Sequence, residues 1–248
     1  LELHALDVCR RPLNSPDRRV RQVAISSQVW VHEMTDNKVE LKKGLRDVYI
    51  DRTKSSFIDG KAGKLLYRGY NIDDLAVHSN FEETAYLVMY GKLPTQAQLD
   101  EFDAKLKAAR LIPDEIVDII KLTRNSHPMD VLRTAISALS AYDPDTEDNS
   151  TEATLRKGLR LTAQAPTIVA THARVRDGKD LIAPDSNLNQ AANFLNMLFG
   201  ELPEQVDSDL IDKDFVLHAE HGINASSFGA RVAASTVADL HCAVTTGV

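Results

Sequence analysis

The sequence predicts a mainly α-helical fold that carries one small β element near its N-terminus. From Phe81 onward, apolar residues recur every three or four positions, the period of an amphipathic helix. Only one segment, Val48 to Tyr67, has short β-like pieces, and they flank the hairpin signal Asp59-Gly60. Since no repeat, linker or low-complexity tract divides the chain, we expect one domain from about residue 40 onward.

The first predicted helices are bounded by recognisable start and stop residues. Phe81 to Tyr90 forms one helix that ends at Gly91, and Thr95 is the N-cap of the next. Pro113 opens a third helix in its first turn, and His127-Pro128-Met129 begins a fourth. These signals predict a series of short helices joined by tight connections.

An acidic loop, Asp143 to Ser150, separates these helices from the second half of the chain. A long helix is expected from about Glu152 to Arg176, with Pro166 producing a kink or a join between two helices. The remaining predicted helices are Leu188 to Phe199, Val206 to His218 and Ser226 to Thr246.

The amino-acid composition excludes several classes of protein function. The 248 residues carry a net charge of −7, which argues against a general nucleic-acid binder but leaves anionic metabolites open. Two cysteines, Cys9 and Cys242, form neither a disulfide framework nor a zinc motif, and this indicates a reducing compartment such as the cytoplasm. No apolar run reaches the roughly 18 residues of a membrane span, so no membrane partner is expected.

The first 33 residues differ in composition from the rest. They contain five Arg and no Lys, whereas the remainder contains 13 Lys. Glu2 and Asp7 are among the acids that count against an organelle transit peptide. We therefore expect Met34 to be the native start and residues 1–33 to be a leader or a non-native extension, with the domain spanning residues 34–248.

The segment Leu217 to Arg231, LHAEHGINASSFGAR, carries the chemistry-bearing residues. His218 and His221 are three apart, on the same side of a predicted helix end, and Glu220 between them is placed to orient one ring. Asn224 and Ser226 add hydrogen-bonding groups, a set that suits the carbonyl or carboxylates of a small acid. The alternative is structural, with His218 a buried core residue and Glu220 a solvated one.

A metal site is not predicted from this segment. The spacing of the two histidines is not the HExxH pattern of zinc proteases, and no third ligand is evident.

Five segments occur in the order typical of one enzyme family: GLRDV, SSFIDGKAGKLLYRGYNIDDLA, FEETAYLVMYGKLPT, SHPMDVLRTAISAL and LHAEHGINASSFGARVAAS. With them, the chain resembles the citrate synthases from about Leu41 to Val248. The resemblance implies a large helical domain and a condensation of acetyl-CoA with oxaloacetate and water that gives citrate and CoA. The 2-methylcitrate synthases, which take propionyl-CoA, share all of these motifs.

The resemblance also implies roles for individual residues. His221 matches the histidine that contacts oxaloacetate, and Asn224 lies in the matching Asn-Ala-Ser position. Ser226 matches a serine that helps to position a catalytic histidine, while His218 lies beside the site. One departure is Gly222, where the family usually has an acid, and this departure is expected to loosen the backbone or its hydrogen bonds.

Other family motifs are not found in this chain. The family continues into a Gly-Pro-x-His-Gly-Gly segment, a Gly-x-Gly-His segment, a catalytic aspartate and substrate-binding arginines. His172 and His241 do not replace these histidines, because neither has a glycine-rich context. We therefore expect the catalytic residues to lie beyond Val248, with no cofactor other than the acyl-CoA substrate.

This expectation makes the chain a truncated large domain that is inactive by itself. Deprotonating a thioester methyl group needs a placed base and donors aimed at the enolate. Two alternatives stay open: a non-catalytic subunit of a split enzyme, and a helical scaffold that dimerises.

Small residues dominate the last predicted helix. They let helices approach closely, so the helix is either tightly buried in the core or part of the family's homodimer interface. We expect burial at or near that interface, and association or aggregation of the chain where such a surface is exposed. The residues are Gly229, Ala230, Ala233, Ala234, Ser235, Ala238 and Ala243.

Overall fold

The computed structural model describes residues 50–248, so the predictions for residues 1–33 and for Met34 lie outside the described residues. Within that range a small sheet precedes a series of α-helices, which confirms the predicted fold class. The strands are β1 (Ser56–Asp59), β2 (Lys64–Tyr67) and β3 (Tyr70–Asn71). The helices are α1 (Ile72–His78), α2 (Phe81–Tyr90), α3 (Gln96–Ala108), α4 (Asp114–Leu122), α5 (Pro128–Leu139), α6 (Thr151–Arg176), α7 (Gln190–Phe199), α8 (Gln205–His218), α9 (Ala225–Ser235) and α10 (Leu240–Gly247).

The sheet is an antiparallel meander that confirms the predicted hairpin. Ser56 pairs with Tyr67 at one end of the β1–β2 ladder, and Asp59 pairs with Lys64 at the other. The Asp59 carboxylate accepts from the backbone N–H groups of Lys61 and Ala62, at 3.0 and 3.1 Å, which stabilises the turn. Tyr67 is fully buried, so the sheet joins the helices through this side chain.

Capping residues set several of the helix boundaries as predicted. Thr95 forms a capping box with Gln98 at the start of α3, and Gly91 ends α2 in the left-handed region at φ 82°. His127 caps α5, where its Nδ1 accepts from the backbone N–H of Met129 at 3.2 Å. Pro113 is the N-cap residue of α4 and lies just outside the helix, one position earlier than expected.

The long helix α6 continues through Pro166 without a break, so the predicted join between two helices is wrong. A proline lacks the N–H that would bond the carbonyl four residues earlier, here that of Thr162. That carbonyl instead lies 3.4 Å from the side-chain nitrogen of Gln190, which also approaches the Ala163 carbonyl at 3.4 Å. Tertiary packing thus supplies the donor that the helix lacks.

Three buried apolar clusters hold the fold together, and two of them include α6. One joins α4, α5 and α6 through Ile116, Ile120, Val131, Ile136 and Ile168, with Leu240 and Val244 of α10 packed against it. A second joins α2, α3 and α6 through Tyr86, Phe102, Leu106, Leu159 and Ala163. The third lies under the sheet and packs Tyr67, Ile72, Leu75, Leu87 and Val216 together. The third cluster fixes α8 against β2.

The last predicted helix is divided in the structure, so the expectation of one helix from Ser226 to Thr246 is wrong. It forms α9 and α10, and between them Val237 adopts a positive φ of 66°. Asp239 caps α10 by accepting from the backbone N–H groups of His241 and Cys242, at 2.8 and 3.3 Å. A side chain that satisfies the first N–H groups of a helix favours a new start over continuation.

The small residues of this segment let α9 and α10 approach each other rather than bury α9 in the core. A Cβ on Gly247 would lie 2.8 Å from the Ser226 carbonyl, and one on Gly229 would lie 3.4 Å from the Thr246 carbonyl. No residue of α9 is buried, so core burial of this helix is not observed in the single chain.

His241 is buried at the start of α10 between two carboxylates. Its Nε2 lies 3.5 Å from Asp143 and its Nδ1 lies 3.5 Å from Asp239, while Asp143 is paired with Arg160 at 2.6 Å. Burial lowers the pKa of His241; the two aspartates oppose this, and Lys157 adds to it. The ring is therefore neutral in the folded protein near pH 7.

This environment predicts a loss of stability in mild acid. The folded-state pKa of His241 lies below the unfolded value of about 6.5, so the unfolded chain binds more protons and its population grows as pH falls through that range. The free energy of unfolding, measured by urea titration at pH 7.5 and pH 5.5, should fall more in the wild-type chain than in His241→Leu. Buried Glu82 and Asp212, whose pKa values burial raises, act in the opposite direction and cancel in this difference. Equal losses in both proteins would contradict the prediction.

Candidate functional site

The histidine segment occupies the turn between α8 and α9. His218 is the last residue of α8, whereas His221 lies in the irregular stretch before α9. The two histidines therefore do not share a helical face, and the predicted helix-end arrangement is wrong. His221 is exposed, and its ring makes no hydrogen bond to any of residues 50–248. Within that range no protein group competes with a ligand for its ring nitrogens.

Glu220 orients the backbone of this turn, not a histidine ring. One carboxylate oxygen accepts from the hydroxyls of Ser55 and Ser56, at 3.1 and 2.9 Å, and from the backbone N–H of Gly222 at 2.8 Å. Neither imidazole is among its partners, so the predicted role of Glu220 is wrong. The alternative of a solvated Glu220 is also wrong, since the side chain is partly buried in this network.

Tyr67 holds the other side of the turn. Its hydroxyl donates to the Leu217 carbonyl at 2.8 Å, one residue before the end of α8. Burial raises the pKa of this phenol, which keeps the donor protonated. The hairpin thus contacts the site twice, through β2 at Leu217 and through β1 at Glu220.

Gly222 adopts a backbone conformation that glycine tolerates better than other residues. Its φ is 66°, in the left-handed region that disfavours residues with a Cβ. A Cβ there would meet Ile58 at 3.5 Å and Ser56 at 3.6 Å, so space alone does not require glycine. The glycine allows the sharp turn in which its N–H points back at Glu220. The expected loosening of hydrogen bonds is not observed.

Asn224 and Ser226 lie at the beginning of α9. The Asn224 side-chain oxygen caps the helix by accepting from the backbone N–H of Ser227 at 2.9 Å. The Ser226 side chain makes no hydrogen bond within residues 50–248, and Ser227 is the serine that bonds this turn, donating to the Gly222 carbonyl at 3.1 Å. Within residues 50–248 the Asn224 amide NH₂ and the Ser226 hydroxyl therefore both remain as donors without a partner.

His218 is an exposed residue. Its side chain is 76% exposed, and its Nδ1 lies 2.9 Å from the Asp214 carbonyl and 3.2 Å from the Asp214 carboxylate. The alternative of a buried core histidine is therefore wrong. Its hydrogen bonds stay within α8, beside the turn that carries His221.

This arrangement suits a small anion. The first N–H groups of α9, at Ala225 and Ser226, have no partner within the helix, and a helix N-terminus attracts negative charge. His221 and the Asn224 amide add donors beside them. An acid with carboxylate and carbonyl oxygens would find matching partners here.

Other site types lack support in the described residues. Within residues 50–248 no group of three or more His, Cys, Asp or Glu side chains is arranged to hold a metal ion. None of the described helices combines the length and apolar character needed to cross a membrane. A cleft of about 600 Å³ lies between α7 and α8, lined by Phe199, Leu202 and Leu210 among others, and no candidate residue lines it.

Sequence reasoning missed the residues that support the turn. Ser55, Ser56 and Tyr67 are about 150 to 165 positions from their partners, and no local pattern links such distant residues. Arg231 of α9 also pairs with Asp51, before β1. The only signal was indirect, because the serines and the tyrosine lie inside a motif that the family resemblance uses.

Comparison with known proteins gives the same family as these motifs. The family model described as citrate synthase, C-terminal domain, matches residues 44–248. The chain is 47% identical over 214 residues to a citrate synthase of Haloferax volcanii, covering 84% of this chain and 56% of that protein. It is 42% identical over 234 residues to a 2-methylcitrate synthase of Mycobacterium tuberculosis, covering 94% of this chain and 59% of the relative.

A solved structure has the same fold. The citrate synthase of Thermoplasma acidophilum, in a ternary complex with carboxymethyl coenzyme A and oxaloacetate, superposes with a TM-score of 0.79 at 27% identity. The match covers 84% of this chain and 55% of that one, so the chain spans little more than half the length of the proteins it matches. On the family model, the sequence identity and the shared fold, the chain belongs to the citrate synthase family.

Proposed function

We propose that the complete enzyme condenses acetyl-CoA with oxaloacetate and water to give citrate and CoA, and that this chain supplies part of the oxaloacetate site. The observation that carries the proposal is the exposed His221 beside the N-terminus of α9, whose ring makes no hydrogen bond to the part of the chain that the structure describes. A protonated or neutral imidazole with backbone N–H groups suits a dicarboxylate that also carries a carbonyl.

Each residue of the turn has a distinct part in this proposal. His221 binds a substrate oxygen, and the Asn224 amide donates to a neighbouring one while its oxygen caps α9. Ser226 supports a catalytic histidine of the complete enzyme, and His218 lies at the edge of the site. None of these groups is a base for the thioester methyl group.

A second acyl substrate has specific support. The relative from Mycobacterium tuberculosis that covers 94% of this chain is a 2-methylcitrate synthase, which favours propionyl-CoA as the alternative. One missing or additional methylene in an apolar pocket changes the specificity ratio by only about 10- to 200-fold. The two acyl-CoA substrates must therefore be compared directly.

The assay that tests the function follows release of the CoA thiol with oxaloacetate and either acetyl-CoA or propionyl-CoA. We expect the isolated chain to give no turnover, because residues 50–248 present oxaloacetate donors without a base and an enolate-stabilising histidine in the same turn. The complete enzyme should release thiol, and the ratio of kcat/KM values assigns the acyl group. Oxaloacetate-dependent turnover by the isolated chain would contradict the proposal that the chain binds oxaloacetate but does not supply the catalytic groups.

The proposed partners are oxaloacetate, an acyl-CoA and a second copy of the enzyme, in the cytoplasm. The exposed α9 and its small residues support a homodimer contact on that side. Light scattering over a concentration series tests this, and a monomer at all concentrations would argue against it.

A further inference from the structure

One carboxylate oxygen holds the turn that carries His221 to the first strand of the sheet. The Oε1 atom of Glu220 accepts three hydrogen bonds, two from side chains near β1 and one from the backbone of Gly222. The distances are 3.1 Å to Ser55 Oγ, 2.9 Å to Ser56 Oγ and 2.8 Å to Gly222 N. The Gly222 and Ser56 distances are ordinary hydrogen-bond lengths, and the Ser55 contact is slightly longer than a typical O–H···O bond.

These bonds surround His221 in the sequence. Glu220 precedes it and Gly222 follows it, so the contact from Glu220 to Gly222 closes a loop with His221 at its tip. Gly222 has the positive φ that this closure needs, and the Ser227 hydroxyl donates to its carbonyl at 3.1 Å. The peptide groups on both sides of His221 are thereby fixed, while its exposed ring makes no hydrogen bond within residues 50–248.

The hydroxyls of Ser55 and Ser56 fix the loop relative to the rest of the domain. Ser56 belongs to β1 and pairs with Tyr67, whose hydroxyl donates to the Leu217 carbonyl at 2.8 Å. The sheet therefore bonds to the α8–α9 turn before and after His218. Removal of the carboxylate would leave Tyr67 as the remaining side-chain hydrogen bond from the sheet to this turn within the described residues.

We propose that Glu220 is a positioning residue that sets the backbone and ring of His221 for substrate by bonding β1 and Gly222 at once. This proposal adds a positioning residue to the substrate site of the proposed function, and it rests on that function for the identity of the substrate. In chemical terms, the carboxylate of Glu220 accepts from the hydroxyls of Ser55 and Ser56, and this network determines the orientation of the His221 imidazole. The hairpin is thus part of the substrate site although it supplies no group that touches substrate.

The test uses the isolated chain and NMR signals that do not depend on turnover. Exchange of the Gly222 amide proton reports the bond to Glu220, and the ring carbon–proton signals of His221 report its orientation and surroundings. The variants are Glu220→Ala, Glu220→Gln and the double variant Ser55→Ala with Ser56→Ala. The matched control is Glu201→Ala, an exposed glutamate in the α7–α8 loop.

In Glu220→Ala we expect Gly222 exchange to accelerate about 10- to 100-fold and the His221 ring signals to move. Glu220→Gln keeps one acceptor oxygen for the Gly222 N–H and should restore most of the protection. The serine double variant should move the His221 signals in the same direction. Adding it to Glu220→Ala should have little further effect, because both act through one network. Glu201→Ala should change neither signal.

Two results would overturn the proposal. The first is unchanged His221 signals in Glu220→Ala, even with faster exchange of Gly222, because that would leave Glu220 a merely structural residue. The second is a serine double variant that leaves His221 unaffected. Should Glu220→Ala fail to fold, Glu220→Gln and the serine double variant decide the same question.

Addition of oxaloacetate separates this proposal from the function on which it rests. In the wild-type chain oxaloacetate should shift the His221 signals, and in Glu220→Ala the shift should need about tenfold more ligand. An absent response in the wild-type chain would count against oxaloacetate as the ligand, while the exchange and ring signals without ligand would still decide whether Glu220 positions His221.

Discussion

Replacing His221 with alanine is expected to weaken oxaloacetate binding by about 10- to 100-fold. A hydrogen bond to a charged group contributes about 1.5–3 kcal/mol, and each 1.4 kcal/mol is a factor of ten in Kd. His221 is exposed and makes no side-chain bond within residues 50–248, so its removal should cost binding without costing stability. The measurement is an NMR titration of the chain with oxaloacetate, which also covers millimolar dissociation constants.

His218→Ala is the matched control for this variant. The two histidines are three residues apart and both exposed, but His218 is bonded to Asp214 on the side of α8. We expect its Kd to change less than about twofold, because its Nδ1 is bonded to Asp214 within α8. Equal effects of the two substitutions, or no effect of His221→Ala, would refute the assigned role.

Replacing Arg110 with methionine is expected to lower the free energy of unfolding by about 3–5 kcal/mol, the range for breaking one partner out of a buried charged network. The Arg110 side chain is only 1% exposed. Its Nε donates to Gln190 at 2.9 Å, and its Nη1 donates to the carbonyls of Asp185 and Leu188 at 2.8 and 2.9 Å. Methionine fills similar space but provides no donor, so these acceptors lose their partner.

The same network includes a second buried charge. The Glu82 carboxylate accepts from the backbone N–H of Gln190 at 2.7 Å, and burial raises its pKa. Burial lowers the pKa of Arg110 and the Glu82 charge opposes this, so replacing the guanidinium also removes a favourable charge interaction.

Chemical denaturation followed by circular dichroism measures the effect. Arg133→Met is the control, because Arg133 is about half exposed and pairs with Asp130 in the same helix. Exposed ion pairs of this kind contribute about 0–1 kcal/mol. A loss below about 1 kcal/mol in Arg110→Met, or equal losses in the two variants, would contradict the assignment.

The sequence predicted the elements whose signals are local. The cap at Thr95, the stop at Gly91 and the turn after Asp59 depend on side chains within a few residues of the backbone groups they satisfy. These predictions are confirmed for that reason. The division of the last helix also has a local signal, the cap at Asp239, but the small residues around it favour a continuous helix when they are considered alone.

Predictions that depended on distant contacts were wrong. Pro166 was expected to kink α6 or to mark a join between two helices; there is no join, and Gln190, 24 residues later along the chain, supplies a donor to the freed carbonyl. Glu220 was expected to orient a histidine, yet its side-chain partners are Ser55 and Ser56, where β1 begins, at the other end of the described chain. The periodicity of a segment carries no information about partners that lie outside that segment.

By itself, therefore, the sequence determined the family, the mainly α-helical class and the segment that carries His221 and Asn224, since motifs and caps are short-range patterns. Only the tertiary structure decided how that segment is held, because the hydroxyls of Ser55, Ser56 and Tyr67 reach it through packing of the sheet against α8. The tertiary structure also decided which polar groups of residues 50–248 lack a hydrogen-bond partner within that range. From the sequence alone, a histidine can cap a helix, form an ion pair or bind a ligand. Which of these roles it takes depends on the donors and acceptors that the fold brings within hydrogen-bond distance.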